Sequence, residues 1–167
     1  IDNATGVVVL LLLGELLKDY AGSPCVELVA LNGEDYYSVP GQMKYLEHNE
    51  SRFDEMLLNI NIDGAGYKKG PSAFSFYQLP EEIEARARPI VEQFEGIVEG
   101  PAWVQGDHSI FLQYGVPALA VSSLWFTENI DTQDITHTPK DVPDIVDCSR
   151  VVEIALALEA FIRSLGT

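Results

Sequence analysis

Apolar residues fall in short blocks along the chain, and helix-like stretches alternate with strand-like ones. Asp2 or Asn3 is placed to cap a first helix running through "VVVLLLL" and "GELLKDY" to about Tyr20. A short apolar strand is expected at Val26 to Leu31, followed by a helix that opens at Pro40 in "PGQMKYLEHN". "MLLNINIDGAG" predicts a strand ending at Asp63 and turning at Gly64 and Gly66. A further strand is predicted from Ser72 to Gln78. The helix after it begins at "PEEIEARARPIVEQF", where Pro80, Glu81 and Glu82 suit a helix N-terminus. The same order then recurs: a short helix in "GDHSIFLQYG", a strand in "VPALAVSS", and a polar loop through "TENIDTQDITHTPKD". A closing amphipathic helix is expected from about Pro143 to Leu165.

This alternation predicts an α/β domain of three layers, a mostly parallel central sheet with helices on both faces. No internal repeat or linker divides the chain, so residues 1–167 are expected to form a single domain. In open sheets of this kind ligands bind beyond the carboxyl ends of the strands. Glu34 and Asp35 follow the expected Val26 strand and Asp63 ends the next one. Asp2, directly before the first helix, joins them if a strand precedes it.

Composition narrows the partners. A hydrophobic share of 47% over 167 residues supports one substantial core. Twenty-six acids against ten Lys and Arg give a formal charge of −16, and no basic patch stands out. That balance argues against a nucleic-acid partner. The longest apolar run, Val7 to Leu13, is far shorter than the roughly 20 residues a membrane-spanning helix needs, so no membrane span is expected. Cys25 and Cys148 match no zinc or redox spacing and are expected as buried small side chains, with a disulfide between them as the alternative.

The chemistry lies in the acids. Asp2, Glu34, Asp35, Asp63 and His137 occur in "DNATG", "NGEDYYS", "NIDGAG" and "THTPKD", each beside small or turn-forming residues. Each motif alone has an ordinary explanation, as a helix cap, a turn or a solvated pair of acids. Gathered in one cleft, however, four carboxylates repel one another unless a cation is present. Oxygen donors with an imidazole suit zinc and neighbouring metals. The adjacent acids can then divide the work, Asp35 on the metal and Glu34 as a base for water.

In order along the chain, these motifs resemble those of the M28 family of zinc aminopeptidases. "DNATG" resembles that family's "DNASG" element, "NGEDYYS" its paired acids, and "NIDGAG" its strand-end aspartate. "GDHSIFLQYGVPA" is similar to its "SDH…F…GIPA" segment, and "THTPKDVPDIVD" to its final histidine motif. The resemblance implies a peptidase with two zinc ions. Asp2 would bridge them, Asp35 and His137 would complete the first site, and Asp63 would bind the second ion. Glu34 would be the general base, with Asp107 and His108 in supporting places beside the ligands.

The resemblance departs in two places. Where the family commonly has two glutamates, this chain has Glu34 and Asp35. The histidine that usually completes the second zinc site precedes "DNASG" in that family, and this chain starts one residue before Asp2. One complete zinc site is therefore expected in this chain. A sheet edge left open by the absent segment is expected to favour self-association. The activity implied is removal of amino acids from peptide N-termini. A single-zinc glutaminyl cyclase-like enzyme and a non-catalytic peptidase-like binding domain are the alternatives. The compartment is left open, with secretion or a periplasmic location as options.

Overall fold

A computed structural model describes residues 1–36 and 39–166. Helix α1 (Ala4–Leu16) is followed, after a long irregular segment, by α2 (Pro40–Asn49) and a 3₁₀ turn at Glu50–Glu55. Then come β1 (Asn59–Ile62), β2 (Ser72–Tyr77), α3 (Glu81–Gln93), β3 (Ile97–Glu99), α4 (His108–Gln113), β4 (Ala118–Ser123) and α5 (Leu124–Glu128). A 3₁₀ turn at Pro143–Ile145 leads into α6 (Cys148–Leu165).

The described strands form one sheet in the order β1-β4-β2-β3. The pairs β1–β4 and β2–β3 are parallel, while the central pair β2–β4 is antiparallel. The sheet is thus mostly parallel, assembled from two parallel pairs. Because the side-chain period of a strand is two, alternate residues serve opposite layers. Phe74, Leu119 and Val121 enter the main core, where Val9 and Leu13 of α1, Ile83 and Ala87 of α3, and Ile154, Leu158 and Phe161 of α6 cover them. The alternating residues on the other face are small: Ala73, Ser75, Ala118 and Ala120 are all buried. Helix α4 packs there against β1 and β4, and Ile110, Phe111 and Phe53 form a second cluster with Tyr45 of α2. Both faces are covered by helices, as the alternation of elements predicts.

Several expected boundaries shift. The first helix ends at Leu16, not near Tyr20, and α6 begins at Cys148 instead of Pro143. Asp147 caps α6 by accepting the Ser149 N–H at 2.9 Å, a stronger start signal than the upstream proline. The strand expected at Val26 to Leu31 does not form. None of the described strands pairs with this segment, and an apolar run without a partner for its backbone has no ladder to join. Val26 still packs on the main core, whereas Leu28 is exposed. Strand β3 and helix α5 are additional elements. Cys25 and Cys148 are free and exposed, which corrects both the burial and the disulfide expected of them. Among the described residues, no helix is long and apolar enough to cross a membrane.

Candidate metal centre

The carboxyl ends of the parallel pair β1 and β4 lie together, since Ile62 aligns with Val121 and the Asp63 N–H donates to the Val121 carbonyl at 2.9 Å. The chain then turns at Gly64, whose φ of +65° lies in the left-handed region that glycine adopts without strain. A Cβ there would also stand 3.0 Å from the Ser122 hydroxyl. This turn leaves the Asp63 carboxylate at the base of a cleft.

The start of α1 is tied to the same rim. Asn3 uses both ends of its amide: Oδ1 accepts the Gly6 N–H at 3.1 Å as the helix cap, and Nδ2 donates to the Ile62 carbonyl at 2.7 Å. Thr5 donates to the Ile1 carbonyl at 2.9 Å. Asp2, immediately before the cap, is thereby held beside the end of β1.

His137 arrives from the long loop after α5. Its backbone is left-handed, with φ of +58°. The loop is braced by side chains: Gln133 Oε1 accepts the N–H groups of Ile135 and Thr136, and Thr138 Oγ1 donates to the Ile135 carbonyl. Nε2 of His137 lies 2.8 Å from Asp2 Oδ2 and 3.1 Å from Asp35 Oδ1. Among the described residues, Asp2, Asp35 and His137 form a group whose donor atoms all lie within 4.8 Å of one another. Two carboxylates and an imidazole converging on one point match the donor chemistry of zinc. Asp63 lines the same cleft but stands outside this group.

Glu34, half-buried, faces the cleft beside Asp35. It follows an irregular segment instead of the expected strand, yet it reaches the same rim as Asp63. Tyr37 and Ser38, the last residues of its "NGEDYYS" motif, lie outside the described residues. Trp103, Gly106, Phe126 and Ile130 supply the apolar and backbone walls.

The electrostatics follow from crowding acids in partial burial. Desolvation, then the neighbouring charges of Asp2, Glu34, Asp107 and Asp35, push Asp63 up to about 7. Asp2 is raised by burial and by Asp35, against the opposing pull of His137. Glu34 is raised by burial, by the charge of Asp35 and a hydrogen bond with it, and by Asp107; the Gly106 N–H works the other way by donating to the carboxylate. Burial also raises Asp107, opposed by the donor Gln42. Every one of these shifts resists collecting negative charge without a cation.

His108 is fully buried and takes no place among the donor atoms. Its ring sits between those of Tyr77 and Trp103, with centroids 4.8 and 4.7 Å away. Nε2 donates to the Trp103 carbonyl at 3.1 Å and Nδ1 accepts from Asn61 Nδ2 at 3.3 Å. Burial pulls its pKa down and favours this neutral form. Tyr77 grips the same residue, its hydroxyl donating to the Trp103 carbonyl and accepting the Trp103 N–H. Together they fix the loop that presents Gly106 to Glu34. Neither Tyr77 nor Gln42 stands out in the sequence: an aromatic in a strand and an amide in a helix carry no signal of what they touch.

A search of curated protein sequences found no match. Among solved structures, the chain is similar to an aminopeptidase from Aneurinibacillus sp. strain AM-1, with a TM-score of 0.79, 18% identity, and coverage of 98% of this chain and 39% of that one. It is also similar to a zinc aminopeptidase from Bacillus subtilis, with a TM-score of 0.77, 19% identity, and coverage of 98% and 41%. A third similar structure is the LapA aminopeptidase of Legionella pneumophila, with a TM-score of 0.71, 14% identity, and coverage of 99% and 46%. The chain therefore spans less than half the length of each of these relatives. Residues 1–162 match the family model of peptidase family M28, and the chain belongs to that family.

Proposed function

We propose that this chain forms the larger part of a zinc-dependent aminopeptidase site, in which a metal and Glu34 together hydrolyse the first peptide bond of a peptide substrate. The convergence of Asp2, Asp35 and His137 on one point beside Glu34 carries this reading. Those three residues would hold the first ion, and Asp63 with Asp2 would face a second. Bound there, zinc supplies Lewis-acid chemistry, lowering the pKa of water and polarising a carbonyl.

Glu34 is suited to moving the proton. Burial and Asp35 raise its pKa above the ordinary carboxylate range, which brings it nearer to the working pH of a general base. Its carboxylate takes the proton of the attacking water and passes it to the departing amine nitrogen. The acids of the cleft attract the ammonium group of the substrate.

Replacing Glu34 by Gln tests the reading, with hydrolysis of an aminoacyl p-nitroanilide followed alongside bound-metal analysis. Turnover is expected to fall by roughly 100-fold or more while the metal is retained. Turnover that survives intact removes Glu34 from the mechanism; a wild-type protein that holds zinc but turns over no substrate favours a binding module. That a single trio is complete also favours a second reading, a glutaminyl cyclase-like enzyme; release of ammonia from an N-terminal glutaminyl peptide, without hydrolysis of the anilide, would select it.

A further inference from the structure

We infer that Asp141 is a positioning residue that sets the distance between the proposed metal ligands Asp2 and His137, an inference that rests on the metal-site reading above. His137 and Asp141 belong to one loop turn, in which the Asp141 N–H donates to the Thr138 carbonyl at 3.1 Å. From this turn the two side chains reach the same residue at different atoms. His137 Nε2 meets the Asp2 carboxylate at 2.8 Å, and Asp141 Oδ2 accepts the Asp2 backbone N–H at 2.9 Å. The second oxygen, Oδ1, accepts from the nitrogen of Ile1.

The carboxylate thus bridges two consecutive backbone nitrogens, immediately before the helix cap at Asn3. The clamp is well sheltered, since the Asp141 side chain is only 14% exposed. It is also directional. Thr5 holds the Ile1 carbonyl and Asn3 holds the end of β1, so the backbone around Asp2 is fixed to the sheet on one side and to the His137 loop by Asp141 on the other. Without Asp141, the remaining polar link between Asp2 and that loop among the described residues is the pair of ligand side chains themselves, with Ile1 and Ile135 packed in one apolar cluster beside it. The ligand side chains are the groups that must separate to admit an ion. Asp141 holds the loop in register while they do so, and it contributes no donor atom to the group of three.

Outer residues that orient ligands typically change metal affinity by about 10–100-fold when removed. The test is zinc affinity of the wild-type protein, Asp141→Ala and Asp141→Asn, measured by competition with a chromogenic chelator. Cobalt absorption spectra and thermal unfolding of the metal-free proteins accompany it. Asp141→Ala is expected to lose about 10–100-fold in affinity and to alter the cobalt spectrum. Asp141→Asn keeps one acceptor oxygen for the Asp2 N–H and is expected to recover most of the affinity, which also serves if the alanine variant fails to fold. Wild-type affinity in both variants, whatever happens to their unfolding temperatures, overturns the inference alone. A wild-type protein that binds neither zinc nor cobalt overturns the metal reading and this inference with it.

Discussion

Gln42 Nε2 donates to Asp107 Oδ1 at 2.7 Å, joining the buried face of α2 to the residue that precedes α4. The bond is charge-assisted, and it offsets part of the cost of keeping the Asp107 carboxylate out of water. Gln42→Leu keeps the side-chain bulk and deletes the donor. A loss of about 1–3 kcal/mol in unfolding free energy is expected for the metal-free protein above the pH at which Asp107 ionises. Denaturant titration measures it; a variant as stable as the wild type would show that water replaces the amide at no cost.

His137 is the sole nitrogen donor of the ligand trio. His137→Ala is expected to weaken zinc binding by more than the roughly 10–100-fold that loss of an outer partner costs. Chelator competition reads the difference directly. An affinity within a few fold of wild type would move the binding site elsewhere.

The metal stoichiometry follows from where Asp63 stands. It lines the cleft but lies outside the trio, and no described histidine besides His137, which belongs to the trio, joins it there: Nδ1 of His48 contacts the Lys44 carbonyl on exposed α2, and His108 is spent on Trp103 and Asn61. Equilibrium dialysis of this chain is expected to find about one tightly held zinc per molecule. Two tightly held ions would mean that Asp63 and Asp2 suffice for the second site.

The outline of the candidate site is legible in the sequence because its motifs occur together and in order, although each alone has an ordinary explanation. Asp63 at the end of an apolar strand before Gly64, the adjacent Glu34 and Asp35, and His137 in a polar loop are all visible as patterns, as are β1, β2 and β4. What could not be read depends on contacts between distant segments. The Val26 segment has the composition of a strand, but forming one requires a neighbour, and composition does not say which strands are adjacent. The antiparallel placing of β2 against β4 is likewise a matter of tertiary packing. Asp141 sits within the "THTPKD" motif, yet its task depends on the backbone of Asp2 at the opposite end of the chain.

Asp63 gives the metal-free protein a characteristic pH dependence. Its carboxyl titrates near 3.8 when unfolded and at about 7 in the fold, so between those values the folded state holds more protons. Stability is then fully present below the lower value and is lost as pH rises through the higher one, by up to about 1.4 kcal/mol per pH unit and on the order of 4 kcal/mol in total. Asp63→Asn keeps the shape of the protonated acid and removes the titration. The variant should therefore gain stability relative to wild type between pH 5 and pH 8, read as the difference between two denaturant midpoints in the presence of a chelator. Asp2, Glu34 and Asp107 are raised by the same crowding, so part of the slope remains in the variant. Saturating zinc should remove most of the difference if Asp63 faces a cation, because the ion favours the ionised carboxylate that burial opposes. A gap between wild type and Asp63→Asn that is the same at both pH values would show that Asp63 is already ionised in the metal-free fold.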